Sequence, residues 1–207
     1  MRSIEPVGRL CGEVRVPGDK SISHRAVMLG AISEGRTSIE GLLDCDDCLY
    51  TIGAFREMGV AIEKSSGRTT IDGVGLRGLK KPKAALFVGE SGTTMRILPG
   101  ILAGQNFQST INGAPSLLRR PMKRIVEPIS SMGVEIRASD LGLPPILIKG
   151  GDVRPIDYKM PVPSAQVKSA ILFAGLYANG LTTVEEKFKS RDHTERMMEH
   201  FGAAITF

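Results

Sequence analysis

Apolar and polar positions along the chain follow two rhythms, and glycine or proline marks most of the switches between them. Over residues 21–32, Ile22, Ala26, Leu29 and Ile32 recur near the spacing of a helical face. Segments 46–58, 92–103, 121–132, 164–178 and 192–201 also read as helices. Shorter runs at 13–16, 37–40, 60–63 and 69–71 read as strands. So do 84–88, 109–112, 134–137, 146–148, 157–161, 182–185 and 203–207. The order is βαβαββ twice, and the third round stops one strand early. This predicts an α/β fold.

The pattern repeats in wording as well as in rhythm. Met58-Gly59-Val60-Ala61-Ile62 matches Met132-Gly133-Val134-Glu135-Ile136, and both match Phe201-Gly202-Ala203-Ala204-Ile205. Each copy reads as a helix end, a C′ glycine and a strand. Gly30 aligns with Gly175, and Gly35 with Gly180. Three units follow, at about 13–75, 76–151 and 152–207, the last lacking its sixth strand. The simplest expectation is a fragment cut inside its third repeat. A strand from the N-terminus or from another chain is the competing way to fill that place. Packed around a pseudo-threefold axis, the three units would point their equivalent helix starts towards one end.

Composition narrows the class. Of 207 residues, 42% are hydrophobic and 24% charged, which excludes a disordered chain. The longest apolar stretch runs from Ala170 to Ala178. A membrane-spanning helix needs about 20 such residues. The opening MRSIEPVGRL has no apolar secretory core, so a cytoplasmic protein is expected. Three cysteines argue against a disulfide framework, and Cys45-x-x-Cys48 has no second pair to complete a zinc site. His193 and His200 lack metal-ligand spacing, so no metal is expected. The net charge of +5 suits an anionic small molecule. It is spread over turns rather than gathered in runs, Trp is absent and aromatics are 5%, so nucleic acid is not the expected partner.

The candidate chemistry lies where strands turn into helices. A helix N-terminus carries unpaired N–H groups and partial positive charge, and small residues let an anion approach it. The first turn is Pro17-Gly18-Asp19-Lys20-Ser21, with Arg25 one helical turn beyond Ser21. Lys20, Ser21 and Arg25 could cradle a phosphate or carboxylate; an N-cap followed by solvated charges is the structural alternative. The second turn is Gly89-Glu90-Ser91-Gly92-Thr93-Thr94-Met95-Arg96, and no P-loop pattern occurs. The third is Pro163-Ser164-Ala165-Gln166-Val167-Lys168, with Ser164 and Lys168 again four apart. Arg119 and Arg120 precede a helix that Pro121 opens. Asp192 reads as an N-cap with Glu195 completing a capping box, which leaves Arg191 outside the cap and free to meet a ligand.

These turns resemble those of the 5-enolpyruvylshikimate-3-phosphate synthase family. PGDKSISHRA at 17–26, GTTMR at 92–96, RRPMKR at 119–124, SAQVKSA at 164–170 and SRDHTERM at 190–197 carry the resemblance. It spans essentially the whole chain, and the last two look like the Bacillus-type branch. The resemblance implies an inside-out α/β barrel of three βαβαββ units about a pseudo-threefold axis. It implies that residues 1–12 belong with another domain, that 13–207 form the first domain, and that a C-terminal domain of the same enzyme is the missing partner. It also implies transfer of the enolpyruvyl group of phosphoenolpyruvate to the 5-hydroxyl of shikimate 3-phosphate. Phosphate leaves through a tetrahedral intermediate, and no cofactor is implied.

By the same resemblance, Lys20, Ser21, Arg25, Ser164, Ala165, Gln166 and Arg191 would hold shikimate 3-phosphate. Lys20, Gly92, Arg120 and Gln166 would meet phosphoenolpyruvate. The family's proton-transferring carboxylates lie in its second half, so this chain alone is expected to bind without turning over. One position departs: Glu90 stands where the family usually has Asn, and a carboxylate there opposes an anion unless it turns away or pairs. Two other readings stand beside this one. UDP-N-acetylglucosamine enolpyruvyl transferase shares the fold but lacks the D-K-S-x-S-H-R run. A non-catalytic anion-binding module would use the same turns without a second domain.

Overall fold

The computed structural model describes residues 3–207. Residues 3–19 form no regular element, and α1 (Lys20–Ile32) then begins one residue before its expected start. Asp19 caps it, its carboxylate accepting the Ile22 N–H at 2.8 Å. The chain continues through β1 (Glu34–Glu40), α2 (Asp46–Glu57), β2 (Ala61–Ser65) and β3 (Arg68–Val74). These strands make an antiparallel sheet in the order β1-β3-β2.

Next come β4 (Leu86–Phe87), α3 (Gly92–Leu102), β5 (Gln108–Asn112), α4 (Lys123–Ser131), β6 (Glu135–Arg137) and β7 (Ile146–Lys149). Their sheet order is β4-β5-β7-β6, with β4 parallel to β5 and the other pairs antiparallel. Finally β8 (Asp157–Met160) pairs in parallel with β9 (Thr183–Glu186), and α5 (Ala165–Gly175) and α6 (His193–His200) follow their respective strands. The result is a mixed α/β fold.

Register puts apolar residues on one face of each larger sheet. Ile62 lies opposite Ile71, and Ile136 opposite Ile148, all four buried. The helices α1, α3 and α5 are buried along most of their lengths, through Val27, Met28, Ile97, Leu98, Ile171 and Phe173 among others. They carry the motif-bearing turns at their N-termini, so the core itself fixes those turns.

The contact between α3 and α5 is close. A Cβ on Gly100 would sit 2.1 Å from the Ala170 carbonyl oxygen, a backbone atom that cannot swing aside. Alanine gains about 1 kcal/mol of helix propensity over glycine. Overpacking against a fixed backbone costs about 1–3 kcal/mol and occasionally more. Gly100→Ala is therefore expected to lower the urea midpoint; an unchanged or raised midpoint would contradict the packing.

Gly59, Gly133 and Gly202 follow α2, α4 and α6 at φ of +90°, +84° and +84°. A side chain there costs about 1–2 kcal/mol, which accounts for glycine in all three matching sequences.

Three expectations need correction. No strand forms at 13–16, where Val14 and Val16 are both 81% exposed. With nothing covering those valines, pairing would only exchange hydrogen bonds with water for edge hydrogen bonds. No strand forms at 203–207 either. The strands after the other two C′ glycines, β2 and β6, each pair only with the strand that follows, and 203–207 has no such partner among the described residues. Lastly, the Asp192 side chain makes no capping bond; it pairs with Arg196 at 3.0 Å and Lys189 at 3.5 Å, while Glu195 turns inward to Lys168. The expected capping box is absent because both carboxylates have charged partners.

Candidate functional site

At the start of α1, Lys20 Nζ lies 3.0 Å from Asp47 on α2. That hydrogen bond and charge raise the Lys20 pKa above its ordinary value. Ser21 Oγ accepts from Arg191 Nη1 at 3.1 Å, joining positions 170 residues apart in sequence. Arg25 is 3% exposed. Its Nε donates to Thr194 Oγ1 at 2.6 Å, its Nη1 to the Ser21 carbonyl at 2.9 Å and its Nη2 to Ser169 Oγ at 2.7 Å. Burial, then the charge of Arg191, lowers the Arg25 pKa to about 10, which still leaves it a cation at neutral pH. Arg25 thus ties α1 to α5 and α6 while two of its five N–H groups stay unused.

A polar cleft of about 310 Å³ opens beside this cluster, lined by Lys20, Asp47, Glu90, Gly92, Thr93, Arg96, Arg120 and Gln166. Ser91 caps α3, its Oγ accepting from the Thr94 N–H at 3.2 Å. A Cβ on Gly92 would lie 2.8 Å from Arg96 Nη1 and 3.2 Å from Arg120 Nη1. Glycine therefore leaves room for two guanidinium groups over one helix start. Gln166 bridges the turns of α3 and α5, accepting from Arg96 at 3.4 Å and donating to Thr93 Oγ1 at 3.2 Å. Burial, followed by the like charges of Arg124 and Arg120, lowers the Arg96 pKa. Cations crowded at a helix N-terminus favour an incoming anion.

The expected residues fall into two adjoining groups. Lys20, Gly92, Arg120 and Gln166 share the cleft. Ser21, Arg25 and Arg191 form the hydrogen-bonded cluster beside it. Ser164 is the N-cap of α5, accepting from the Val167 N–H at 3.4 Å, and Ala165 opens that helix just before Gln166. Glu90 lines the cleft and forms no ion pair among the described residues. Lys168 does not join Ser164 near the cleft; it is buried between Glu186 and Glu195.

Three lining residues were not singled out in the sequence reading: Thr93, Arg96 and Asp47. Arg96 stands four positions after Gly92, as Arg25 does after Ser21, so the same spacing argument would have found it. Asp47 carries no comparable signal, since its partner is 27 residues away.

Beneath the turns runs a buried chain of hydrogen bonds. His24 Nδ1 meets Thr51 Oγ1 at 2.7 Å, Thr51 meets Thr94 at 2.7 Å, and Thr94 meets Ser91 at 2.6 Å. It links α1, α2 and the cap of α3. Burial lowers the His24 pKa to about 4. Burial likewise pushes the Cys48 thiol up to about 12. Among the described residues no cluster of three His, Cys, Asp or Glu is placed to hold a metal ion, and no helix is long and apolar enough to cross a membrane.

The α/β fold thus brings Lys20, Arg96 and Arg120 together with the starts of α1, α3 and α5 around one polar cleft. Residues 4–207 match the family model described as EPSP synthase (3-phosphoshikimate 1-carboxyvinyltransferase), and the chain belongs to that family. It is 56% identical over 202 residues to the 3-phosphoshikimate 1-carboxyvinyltransferase of Methylococcus capsulatus, covering 97% of this chain and 46% of that protein. It is 54% identical over 207 residues to the enzyme of the same name from Bacillus cereus, covering 99% and 48%. The solved EPSP synthase from Acinetobacter baumannii superposes with a TM-score of 0.91 at 50% identity, over 95% of this chain and 45% of that one. The chain spans about half the length of the curated relatives it matches.

Proposed function

We propose that this chain supplies one face of the active site of a 3-phosphoshikimate 1-carboxyvinyltransferase. The enzyme transfers the enolpyruvyl group of phosphoenolpyruvate to the 5-hydroxyl of shikimate 3-phosphate and releases phosphate. The reading is carried by one observation: Lys20, Gly92, Arg120 and Gln166, from four separate segments, line a single cleft in which the cations Lys20, Arg96 and Arg120 outnumber the carboxylates Asp47 and Glu90. In this reading those four residues meet phosphoenolpyruvate, joined by Arg96. Lys20 and Gln166 also touch shikimate 3-phosphate, which Ser21, Arg25, Ser164, Ala165 and Arg191 hold on the adjoining side. Two polyanionic substrates in one site need this density of cations and N–H donors. Arg25 serves mainly to fix α1 against α5 and α6. No metal or organic cofactor takes part.

Residues 13–207 are proposed to form one domain of three βαβαββ units about a pseudo-threefold axis, an inside-out α/β barrel with the third unit short. Support comes from sheet order: β1-β3-β2 corresponds to β5-β7-β6, and the parallel pair β8-β9 to β4-β5. Residues 1–12 then belong with a second domain. That domain, the remaining length of the relatives, supplies the proton-transferring carboxylates as partner to this chain. The enzyme works in the cytoplasm on small anions, with neither nucleic acid nor membrane as partner. The family match disfavours UDP-N-acetylglucosamine as acceptor.

Calorimetric titration of the chain with each substrate tests this reading. Shikimate 3-phosphate is expected to bind more tightly than phosphoenolpyruvate, because more of its proposed contacts lie here. A charge-assisted hydrogen bond is worth about 1.5–3 kcal/mol. Lys20→Met is therefore expected to weaken both ligands roughly tenfold or more. The reverse order of affinities, or an unaffected variant, would count against the proposal, as would phosphate release by the chain alone.

A further inference from the structure

Lys168, Glu186 and Glu195 form a buried cluster outside the proposed contacts. Lys168 Nζ lies 2.6 Å from one carboxylate oxygen of each glutamate, and the three side chains are 7%, 12% and 6% exposed. Burial alone would lower the Lys168 pKa, but the two glutamates more than offset it and raise it. The Glu186 pKa is lowered: burial works against this, and Lys168 and Ser190 outweigh it.

The cluster holds one cation and two anions. The Glu195–Lys168 pair is already neutral, so taking a second carboxylate out of water carries a desolvation penalty that Lys168 and Ser190 have to offset. The Oε2 atoms of both glutamates have no partner among the described residues, which adds to it. Glu186 has a further bond that Glu195 lacks: it accepts the backbone N–H of Ser190 at 3.0 Å. Ser190 immediately precedes Arg191, whose guanidinium donates to Ser21 Oγ across the site. Residues 187–192 form no regular element, so no helix or sheet ladder holds Arg191 in place.

We propose that Glu186, clamped by Lys168, is a positioning residue that fixes Arg191 for the anionic end of shikimate 3-phosphate. The proposal rests on the substrate reading above. Glu186 touches no substrate and acts through the Ser190 N–H. Lys168 orients the carboxylate, and Glu195 keeps Lys168 paired when Glu186 is changed. The pieces come from α5, the end of β9 and the first turn of α6, so packing of α5 against that strand and helix sets where Arg191 points.

The test is a calorimetric titration of the 207-residue chain and its variants with shikimate 3-phosphate, with thermal melts run alongside. Loss of the clamp is expected to weaken Glu186→Ala about five- to tenfold. Glu186→Gln keeps the acceptor oxygen and should bind within about twofold of the parent chain. In an Arg191→Ala background, Glu186→Ala should cost less than about a further twofold, since the effect passes through Arg191. Ser190→Pro deletes the N–H while leaving the charge cluster intact. It should weaken binding like Glu186→Ala, and it decides the matter if Glu186→Ala does not fold. Unchanged affinity in a folded Glu186→Ala or Ser190→Pro variant, or full additivity with Arg191→Ala, overturns the positioning role alone. Absence of binding by the parent chain overturns the substrate reading and this proposal together.

Discussion

Lys168→Met is expected to destabilise the chain by about 3–5 kcal/mol, the cost of breaking a buried ion pair from one side. The methionine would fill much of the same space, so packing contributes little to the loss. What remains is two carboxylates, 12% and 6% exposed, with their common cation removed. All three side chains line one wall of a cleft of about 820 Å³ shared with residues 204–207, but at these exposures little water reaches either carboxylate. Domains are typically stable by only about 5–15 kcal/mol, so much of the margin would disappear. Adding Glu186→Gln and Glu195→Gln to Lys168→Met removes the stranded charges and should recover most of the loss. Urea denaturation of the single and triple variants provides the comparison. A single-variant loss below about 1 kcal/mol would mean that water reaches the cluster and screens it.

Acid should destabilise the chain through His24 before the carboxylates begin to titrate. His24 is fully buried, its Nε2 has no partner among the described residues, and its folded pKa is about 4 against an ordinary 6.5. Above pH 6.5 both folded and unfolded chains hold the ring neutral, and stability is unaffected. Between pH 6.5 and about 4 the unfolded chain takes up a proton that the folded chain refuses, so stability falls with pH. The accumulated loss is about 3 kcal/mol. Below that window both forms are protonated, and paired carboxylates such as Asp72 and Asp192, whose pKa values are lowered, account for further loss. Urea midpoints at several pH values should fall steeply from pH 6.5 to 4 in the parent chain and remain nearly flat in His24→Asn. Equal slopes in both would contradict the assignment. Because His24 joins the hydrogen-bond chain to Ser91, protonation of the folded ring below about pH 4 should loosen the cap of α3 and with it the cleft.

Much of the fold could be read from the sequence, because its signals are local. Helix α1 announced itself through its apolar spacing, and the 164–178 segment placed the start of α5 within one residue. The small-residue turns marked the helix starts to within about two residues, and those starts line the cleft. What failed depends on distant partners. Segments 13–16 and 203–207 have strand composition, but a strand exists only when another pairs with it. Lys168 shares the Ser164 face by spacing, yet spacing along α5 says nothing about Glu186 and Glu195 lying opposite. Asp192 has the identity of a cap, but Arg196 and Lys189 compete for its carboxylate. The His24–Thr51–Thr94 chain joins residues 27 and 43 apart, which no local pattern encodes.

The central claim is that the turns at the starts of α1, α3 and α5, with Arg191, form a preassembled half-site for shikimate 3-phosphate. An NMR titration of the chain with that compound, following the backbone amides of Lys20, Ser21, Gln166 and Arg191, tests it most directly. Saturable shifts at these four positions, with little change at remote amides such as those of β6, are the predicted result. A well-folded chain whose amides stay unmoved at millimolar ligand would contradict the claim.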